Sequence, residues 1–519
     1  IIQIEGLPML SPLPLPRWLI LACALALLGA CSSHPEEEPL LFDFGEPDAL
    51  EEIDGPDAFV EPDVEIELVE DVFEIPQGSV DGEACDGDLD CRGGTCIDSP
   101  DWQDGYCTTL SCTNFEDCAS DGEDNRCFQA GGGQNFCVRM CTQHSDCREG
   151  YICRPIGYGS AFCAPNPSVD PDFENLEDYP FEVICQNPEE SPANIEFEIA
   201  EETVAYMITP IARDGDRLRP NALYDEDDTR IINFRGENGF QAVTASLFGY
   251  VSPLIVPAAP QFTDQLKSGH HRLAVNTRSE ELCHYLLQAE TFGTRIDLNI
   301  YLAGVRNIDA ASAAENANMQ TVLAKFEEMY EQAGIEIGTV TFHDITGEDA
   351  TRFSVIRSDT DVARLVALSK RPDDEDLALS MNIFFVSQFA FSDGGGAIGI
   401  SMGLPGPAGL HGTPASGVVF TSEYMGREFR ERGFGTVDGN EFTGIVLAHE
   451  VGHYLGLFHT TEQSSQGFDP LEDTPECREG FPSSCPDLGN MMFPLASIGN
   501  IEVTPDQAFV IGVNPLTKD

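Results

Sequence analysis

Apolar residues change their spacing several times along the chain. The run WLILACALALLGA, which follows Arg17, is almost unbroken in its hydrophobicity. It is too short to span a bilayer and reads as the core of a signal peptide. Over residues 32–84, Leu, Val and Phe are scattered among Glu, Asp, Pro and Gly with neither a helical stripe nor a strand alternation, the pattern of a disordered linker. Between about 170 and 292 the apolar runs are short and β-prone: IEFEIAEETVAYMITPIA, DTRIINF, SLFGYVSPLIV, HHRLAVNTR and ELCHYLLQA. Gly, Pro, Asp and Asn divide them, which predicts an all-β sandwich. From 293 strand and helix alternate. TRIDLNIYLAGV reads as a strand, and ENANMQTVLAKFEEMYEQAG carries Met319, Val322, Leu323, Phe326 and Tyr330 at helical spacing, stopping at Gly334. IEIGTVTFHDI, NIFFVSQF and GVVFTSE add further strands, so residues 293–519 are expected to form an α+β domain with a mixed sheet.

The cysteines add a region that hydrophobicity does not reveal. Residues 85–165 hold three groups of four: Cys85, Cys91, Cys96 and Cys107; Cys112, Cys118, Cys127 and Cys137; Cys141, Cys147, Cys153 and Cys163. Each group opens with C-x5-C and closes with a gap of nine or ten residues, so the region is an internal repeat. Units this small cannot bury a sufficient apolar core, and disulfides must supply the stability. Connectivity stays open at this level. Zinc binding by these cysteines lacks the close C-x-x-C pairs of zinc ribbons. Cys185 and Cys283, near the ends of the β region, and Cys477 and Cys485, late in the chain, are further candidate pairs. Leaving aside Cys23 and Cys31 in the leader, 16 of the 18 Cys remain, an even number that suits an oxidising compartment.

Charge narrows the partners. The 89 acidic residues outnumber 27 basic ones, for a net charge of -62, which repels nucleic acid. Residues 32–90 alone hold 22 Asp or Glu and no Lys or Arg, in keeping with a solvated spacer. Asp86, Asp88 and Asp90 within DGDLD have the look of a calcium loop, but Cys91 and Ile97 occupy the positions of its Gly and Glu, so calcium has no loop to support it. Leu28-Gly29-Ala30-Cys31 resembles a bacterial lipobox. That implies lipidation of Cys31, removal of the leader, and a chain whose only contact with a membrane is its lipid anchor. Ser32 after the Cys points to the outer membrane or cell surface; an ordinary secreted protein is the alternative.

The chemistry is concentrated in HEVGHYLGLFH, residues 449–459. His449 and His453 are four apart, so on a helix both imidazoles face one side and can reach one ion. Glu450 lies one position round, where it can reach a water on the metal as general base without being a ligand. Gly456 can end the helix in the left-handed conformation and return His459 as third ligand. Such a set arises by chance on the order of 10⁻⁵ times in a chain of this length at average residue usage. His270, His271 and His284 have no such spacing and are assigned no chemistry.

H-E-x-x-H-x-x-G-x-x-H is the metzincin signature, and this chain resembles that family at every specified position. The resemblance implies a zinc endopeptidase with one catalytic Zn²⁺ on His449, His453 and His459, and a protein or peptide substrate crossing the metal on an α+β fold with an active-site helix. Metzincins place a Met beneath the metal, and GNMMFP offers Met491 and Met492. DTP at 473–475, CPDLGN at 485–490 and TPDQ at 504–507 resemble the pappalysin-like branch, whose N-x-M pattern selects Met492. Pro494 stands where that branch often has a Tyr. The expected organisation is a leader over 1–31, linker over 32–84, cysteine-rich repeats over 85–165, β-sandwich over 170–292 and catalytic domain over 293–519. The repeats and the β domain would act as spacers or as docking modules for protein or glycan. A surface adhesin that keeps a non-catalytic zinc site is the competing reading, and a latent form in which Cys283 ligates zinc is a third.

Overall fold

The computed structural model describes residues 78–519 apart from short segments, the longest being 166–178 and 234–244. The leader, Cys31 and the acidic stretch up to residue 77 lie outside the described residues.

Each cysteine group folds as one hairpin and one loop. The hairpins pair Gly94–Cys96 with Cys107–Thr109, Asn125–Gln129 with Asn135–Arg139, and Tyr151–Gly157 with Ser160–Pro165. In every unit the third and fourth cysteines sit opposite each other across the hairpin, at Cys96 and Cys107, Cys127 and Cys137, Cys153 and Cys163. Each then reaches back to the C-x5-C loop. First pairs with third and second with fourth: Cys85–Cys96 and Cys91–Cys107, Cys112–Cys127 and Cys118–Cys137, Cys141–Cys153 and Cys147–Cys163.

The aspartates of DGDLD act locally. Asp90 Oδ2 accepts the Asp86 N–H at 2.9 Å, and Asp88 Oδ1 accepts the Cys96 N–H at 2.8 Å. Asp117 and Asp146 repeat the Asp90 role, accepting from the backbone and hydroxyl of Thr113 and Thr142 at 2.7–2.8 Å. The Asp before the second Cys is therefore a loop cap built into the repeat. The first unit also begins before the expected linker boundary at 84, because Ser79 bridges to Cys91 and Asp81 is buried.

The β region consists of two four-stranded antiparallel sheets. One runs Arg230–Asn233, Arg219–Tyr224, Gly269–Asn276, Ala193–Ile199; the other runs Leu254–Val256, Ala205–Ala212, Leu282–Ala289, Val183–Gln186. Ala193–Ile199 alternates strictly, burying Ala193, Ile195, Phe197 and Ile199 and exposing the residues between, as a strand with one wet face must. Ala205–Ala212 is buried throughout because both of its faces are covered. Tyr206 and Ile208 join the core between the two sheets, while Ala205 and Met207 join the core of the following domain. Conversely Leu410 and Ala415, far along the chain, complete the β core, and Tyr285 donates to Ala408 O at 3.0 Å. The two regions thus share buried surface rather than hanging together as separate beads. Cys185 and Cys283 are joined across neighbouring strands of the second sheet. A Cys283 thiolate is accordingly not free to ligate a metal, which removes the latent form considered above.

Residues 293–519 hold a six-stranded sheet, five strands of which run in the order Glu336–Asp344, Arg295–Ala303, Met381–Val386, Val418–Thr421, Gly399–Ser401. The first four strands are parallel and the short Gly399–Ser401 edge is antiparallel. Thr517–Lys518 adds to the start of Arg295–Ala303. The helix Ala317–Glu331 is capped by Asn316 and buries Met319, Val322, Phe326 and Tyr330. It packs so closely on the helix Gly439–Leu455 that a Cβ at Gly444 would stand 2.6 Å from Val322 O. Among the described residues no helix is long and apolar enough to cross a membrane.

Among the described residues three histidines are buried away from the HEVGH segment: His271, His284 and His411. His411 is bracketed by Asn382 and Ala378 O, each at 2.8 Å, whereas neither ring nitrogen of His284 has a partner. Burial pulls the His284 imidazole down from 6.5 to about 4. A base whose folded pKa is lowered binds fewer protons folded than unfolded. Its contribution is therefore complete above pH 6.5 and is lost as pH falls toward 4. Replacing His284 by Leu should leave stability near neutral pH little changed. Below pH 6 the variant should gain on the wild type by up to about 1.4 kcal/mol per pH unit, measured by urea unfolding at pH 7 and pH 4.5. Parallel pH profiles for the two proteins would contradict this account.

Candidate metal centre

The helix Gly439–Leu455 is positioned before it is functional. Asp438 caps its start, the side chain accepting from the Asn440 N–H at 2.8 Å, and Asn440 Oδ1 in turn accepts from the Gly426 N–H at 2.8 Å. Every helical residue except Glu441 is buried, so the helix lies inside the domain. Tyr330 donates to Ala448 O at 3.2 Å. Gly456 ends the helix at φ 114°, with Gly456 N–H on His453 O and Leu457 N–H on Gly452 O, both at 2.9 Å. Only glycine takes that conformation without strain, and the reversal it makes turns His459 back toward the helix.

The three imidazoles meet at their Nε2 atoms. His449 Nε2 lies 3.0 Å from His453 Nε2, which lies 3.1 Å from His459 Nε2. These are not hydrogen bonds, because the Nδ1 atoms are already committed: His449 to Met491 O at 2.7 Å, His453 to Leu457 O at 2.7 Å, and His459 to Glu462 Oε1 at 3.2 Å. Carbonyl and carboxylate oxygens only accept, so each Nδ1 carries the ring hydrogen and each Nε2 offers a bare lone pair. Burial, the main cause, drives His449 and His453 well below the ordinary histidine range, keeping them neutral. Three lone pairs crowded together repel unless a cation lies among them. The edges of a tetrahedral Zn–N site measure about 3.3 Å, close to the separations found, so the donor set fits zinc.

Glu450 is fully buried; the backbone of Ser401 faces its carboxylate, and no side chain among the described residues pairs with it. Burial pushes its carboxyl up to about 7. A buried carboxyl without a side-chain partner, beside three bare nitrogens, is placed to exchange a proton with a group bound between them. The antiparallel edge strand presses on it: a Cβ at Gly399 would lie 2.5 Å from Glu450 Cγ.

Below the histidines the two methionines divide the work. Met491 supplies the carbonyl that orients His449. Met492 supplies the sulfur under the helix, 2.8 Å from where a Cβ at Gly452 would stand. Asn490 Oδ1 accepts the Met492 N–H at 2.8 Å and is paired reciprocally with Gln507 at 2.8 and 3.1 Å. Asp473 accepts from Thr504 and from the Asp506 N–H at 2.8 and 2.9 Å. Asp487 takes the hydroxyls of Thr460 and Thr461 at 2.6 and 2.8 Å. DTP, CPDLGN and TPDQ are therefore one polar network that fixes the turn and the residues after His459. Cys477 and Cys485 are joined nearby, and Pro494 is buried and offers no hydroxyl. Sequence reasoning missed Gly399, Gly452, the two carbonyls and Glu462, whose hydrogen bond with His459 holds its carboxyl below the usual glutamate range.

No protein-family model matches the chain. An extracellular metalloprotease of Pyricularia oryzae is 24% identical over 233 residues, which is 44% of this chain and 72% of that protein. Among solved structures, archaemetzincin from Methanopyrus kandleri is similar over 44% of this chain and 90% of its own, with 13% identity and a TM-score of 0.24. A zinc-dependent peptidase from Methanocorpusculum labreanum is similar over 41% and 92%, with 11% identity and a TM-score of 0.20.

The Asn490–Gln507 pair is buried on both sides, so Asn490→Ala strands the Gln507 Nε2 donor, while Gln507 Oε1 keeps the Thr504 N–H at 3.0 Å. We expect a loss of about 1–3 kcal/mol, read as a lower midpoint in thermal or urea unfolding. An unchanged midpoint would mean that the network is not holding the turn.

Proposed function

We propose that this chain is a zinc-dependent endopeptidase of the metzincin type that hydrolyses peptide bonds of extracellular or cell-envelope proteins. The observation that carries the reading is the convergence of three bare Nε2 atoms whose opposite nitrogens are all committed, next to a buried carboxyl that no side chain among the described residues pairs with. His449, His453 and His459 hold the metal. Zinc in such a site supplies Lewis acidity toward water and toward a carbonyl oxygen. Glu450 is the general base: its carboxylate stands beside the three bare nitrogens, where it can accept a proton from the attacking water and return it to the leaving amine. Met492, beneath the helix, keeps the ligand-bearing turn in place.

The weak sequence similarity to an extracellular metalloprotease and the complete pairing of the described cysteines support secretion into an oxidising compartment. We assign the leader to export and Cys31 to a lipid anchor at the bacterial outer membrane or cell surface. Within this reading the acidic stretch is a spacer and the disulfide repeats present the enzyme or dock it to protein or glycan.

Casein incubated with the purified full chain should be cleaved, and a chelator should stop cleavage. Full zinc loading without cleavage would instead support a binding protein. Glu450→Gln should keep stoichiometric zinc while kcat falls by roughly 10²–10⁴-fold. Wild-type turnover in that variant would remove Glu450 from the reaction.

A further inference from the structure

We infer that Glu462 is a positioning residue for the third metal ligand, setting the ring of His459 so that its Nε2 lone pair faces the other two histidines. This inference rests on the zinc reading above. His449 and His453 are held by backbone carbonyls, Met491 O and Leu457 O, inside the protein. His459 comes after the helix has ended, and among the described residues the partner of its Nδ1 is not a backbone carbonyl but Glu462 Oε1 at 3.2 Å. The two side chains are 13% and 50% exposed, so this ligand, unlike its neighbours, borders solvent. An imidazole with nothing on Nδ1 can rotate about its Cβ–Cγ bond or change tautomer, and either change turns an N–H or a carbon toward the metal position. A carboxylate on Nδ1 removes both freedoms and makes the ring a stronger donor.

The local chain is shaped to deliver that carboxylate. Thr461 bridges to Phe468, and the Glu462 N–H donates to Gly467 O at 2.8 Å. Gly467 must lack a side chain for this: its Cβ would stand 2.9 Å from Glu462 Cγ. Upstream, the Thr460 and Thr461 hydroxyls are fixed on buried Asp487. The residues immediately after His459 are thus tied on both sides, with Glu462 turned back onto the ring.

The test uses the full chain with Glu462→Ala and Glu462→Gln. Zinc dissociation constants are measured by competition with a chromophoric chelator, and the visible spectrum is recorded at saturating cobalt. Glu462→Ala should weaken zinc binding about 10–100-fold and shift the cobalt bands. Glu462→Gln keeps an acceptor oxygen in the same place and should recover binding to within about threefold of wild type with a wild-type spectrum. Thermal unfolding of the metal-free proteins should coincide, separating ligand orientation from loss of fold. A Glu462→Ala constant within twofold of wild type overturns the inference, as does equal weakening in both variants. A wild-type chain that binds neither zinc nor cobalt sinks the underlying zinc reading instead, so the two failures are distinguishable.

Discussion

An imidazole has two nitrogens, and the partner given to one dictates what the other can do. In this protein that coupling organises the whole site. Met491 O, Leu457 O and Glu462 each occupy an Nδ1, and three lone pairs are thereby forced to face one another. Such an arrangement is unfavourable by itself, since desolvated acceptors repel, and it becomes favourable once a cation sits among them. Much of the surrounding architecture keeps those three acceptors in place. The Gly456 reversal presents Leu457 O, the Asn490–Gln507 pair fixes the turn that presents Met491 O, and Asp487 anchors the residues leading to Glu462.

The histidine-bearing helix can carry polar ligands in its interior because the rest of the fold buries it on nearly all sides. Two of its neighbours come close at glycines, Gly444 against the helix Ala317–Glu331 and Gly399 on the edge strand against the Glu450 side chain. The β region takes part as well. Its strand Ala205–Ala212 contributes Ala205 and Met207 to one core and Tyr206 and Ile208 to the other, so it is a buttress of the α+β region. The disulfide repeats achieve stability by a different route, with two crosslinks per hairpin in place of an apolar core.

Much of this was legible because it is local. Helical spacing in ENANMQTVLAKFEEMYEQAG, the offsets within HEVGHYLGLFH and the threefold C-x5-C grouping all depend on residues within one or two turns or one hairpin of each other. The Asp before the second cysteine of each group is equally visible in the sequence: Asp90, Asp117 and Asp146 share one offset, which marks DGDLD as a loop cap of the repeat. The short edge strand Gly399–Ser401 gave no strand signal, since glycine-rich segments carry little apolar alternation.

The sequence by itself determined which atoms are available for chemistry, namely three histidines and a glutamate at offsets that a helix and a glycine reversal turn toward one point. It also determined that the cysteines come in pairs and that the surface is acidic. Only the tertiary structure decided which cysteine joins which, that one β strand serves two cores, and which nitrogen of each histidine is left bare. Those outcomes depend on acceptors such as Met491 O, 42 residues from His449, and on burial shared by segments that are close in space but remote along the chain, where periodicity carries no information.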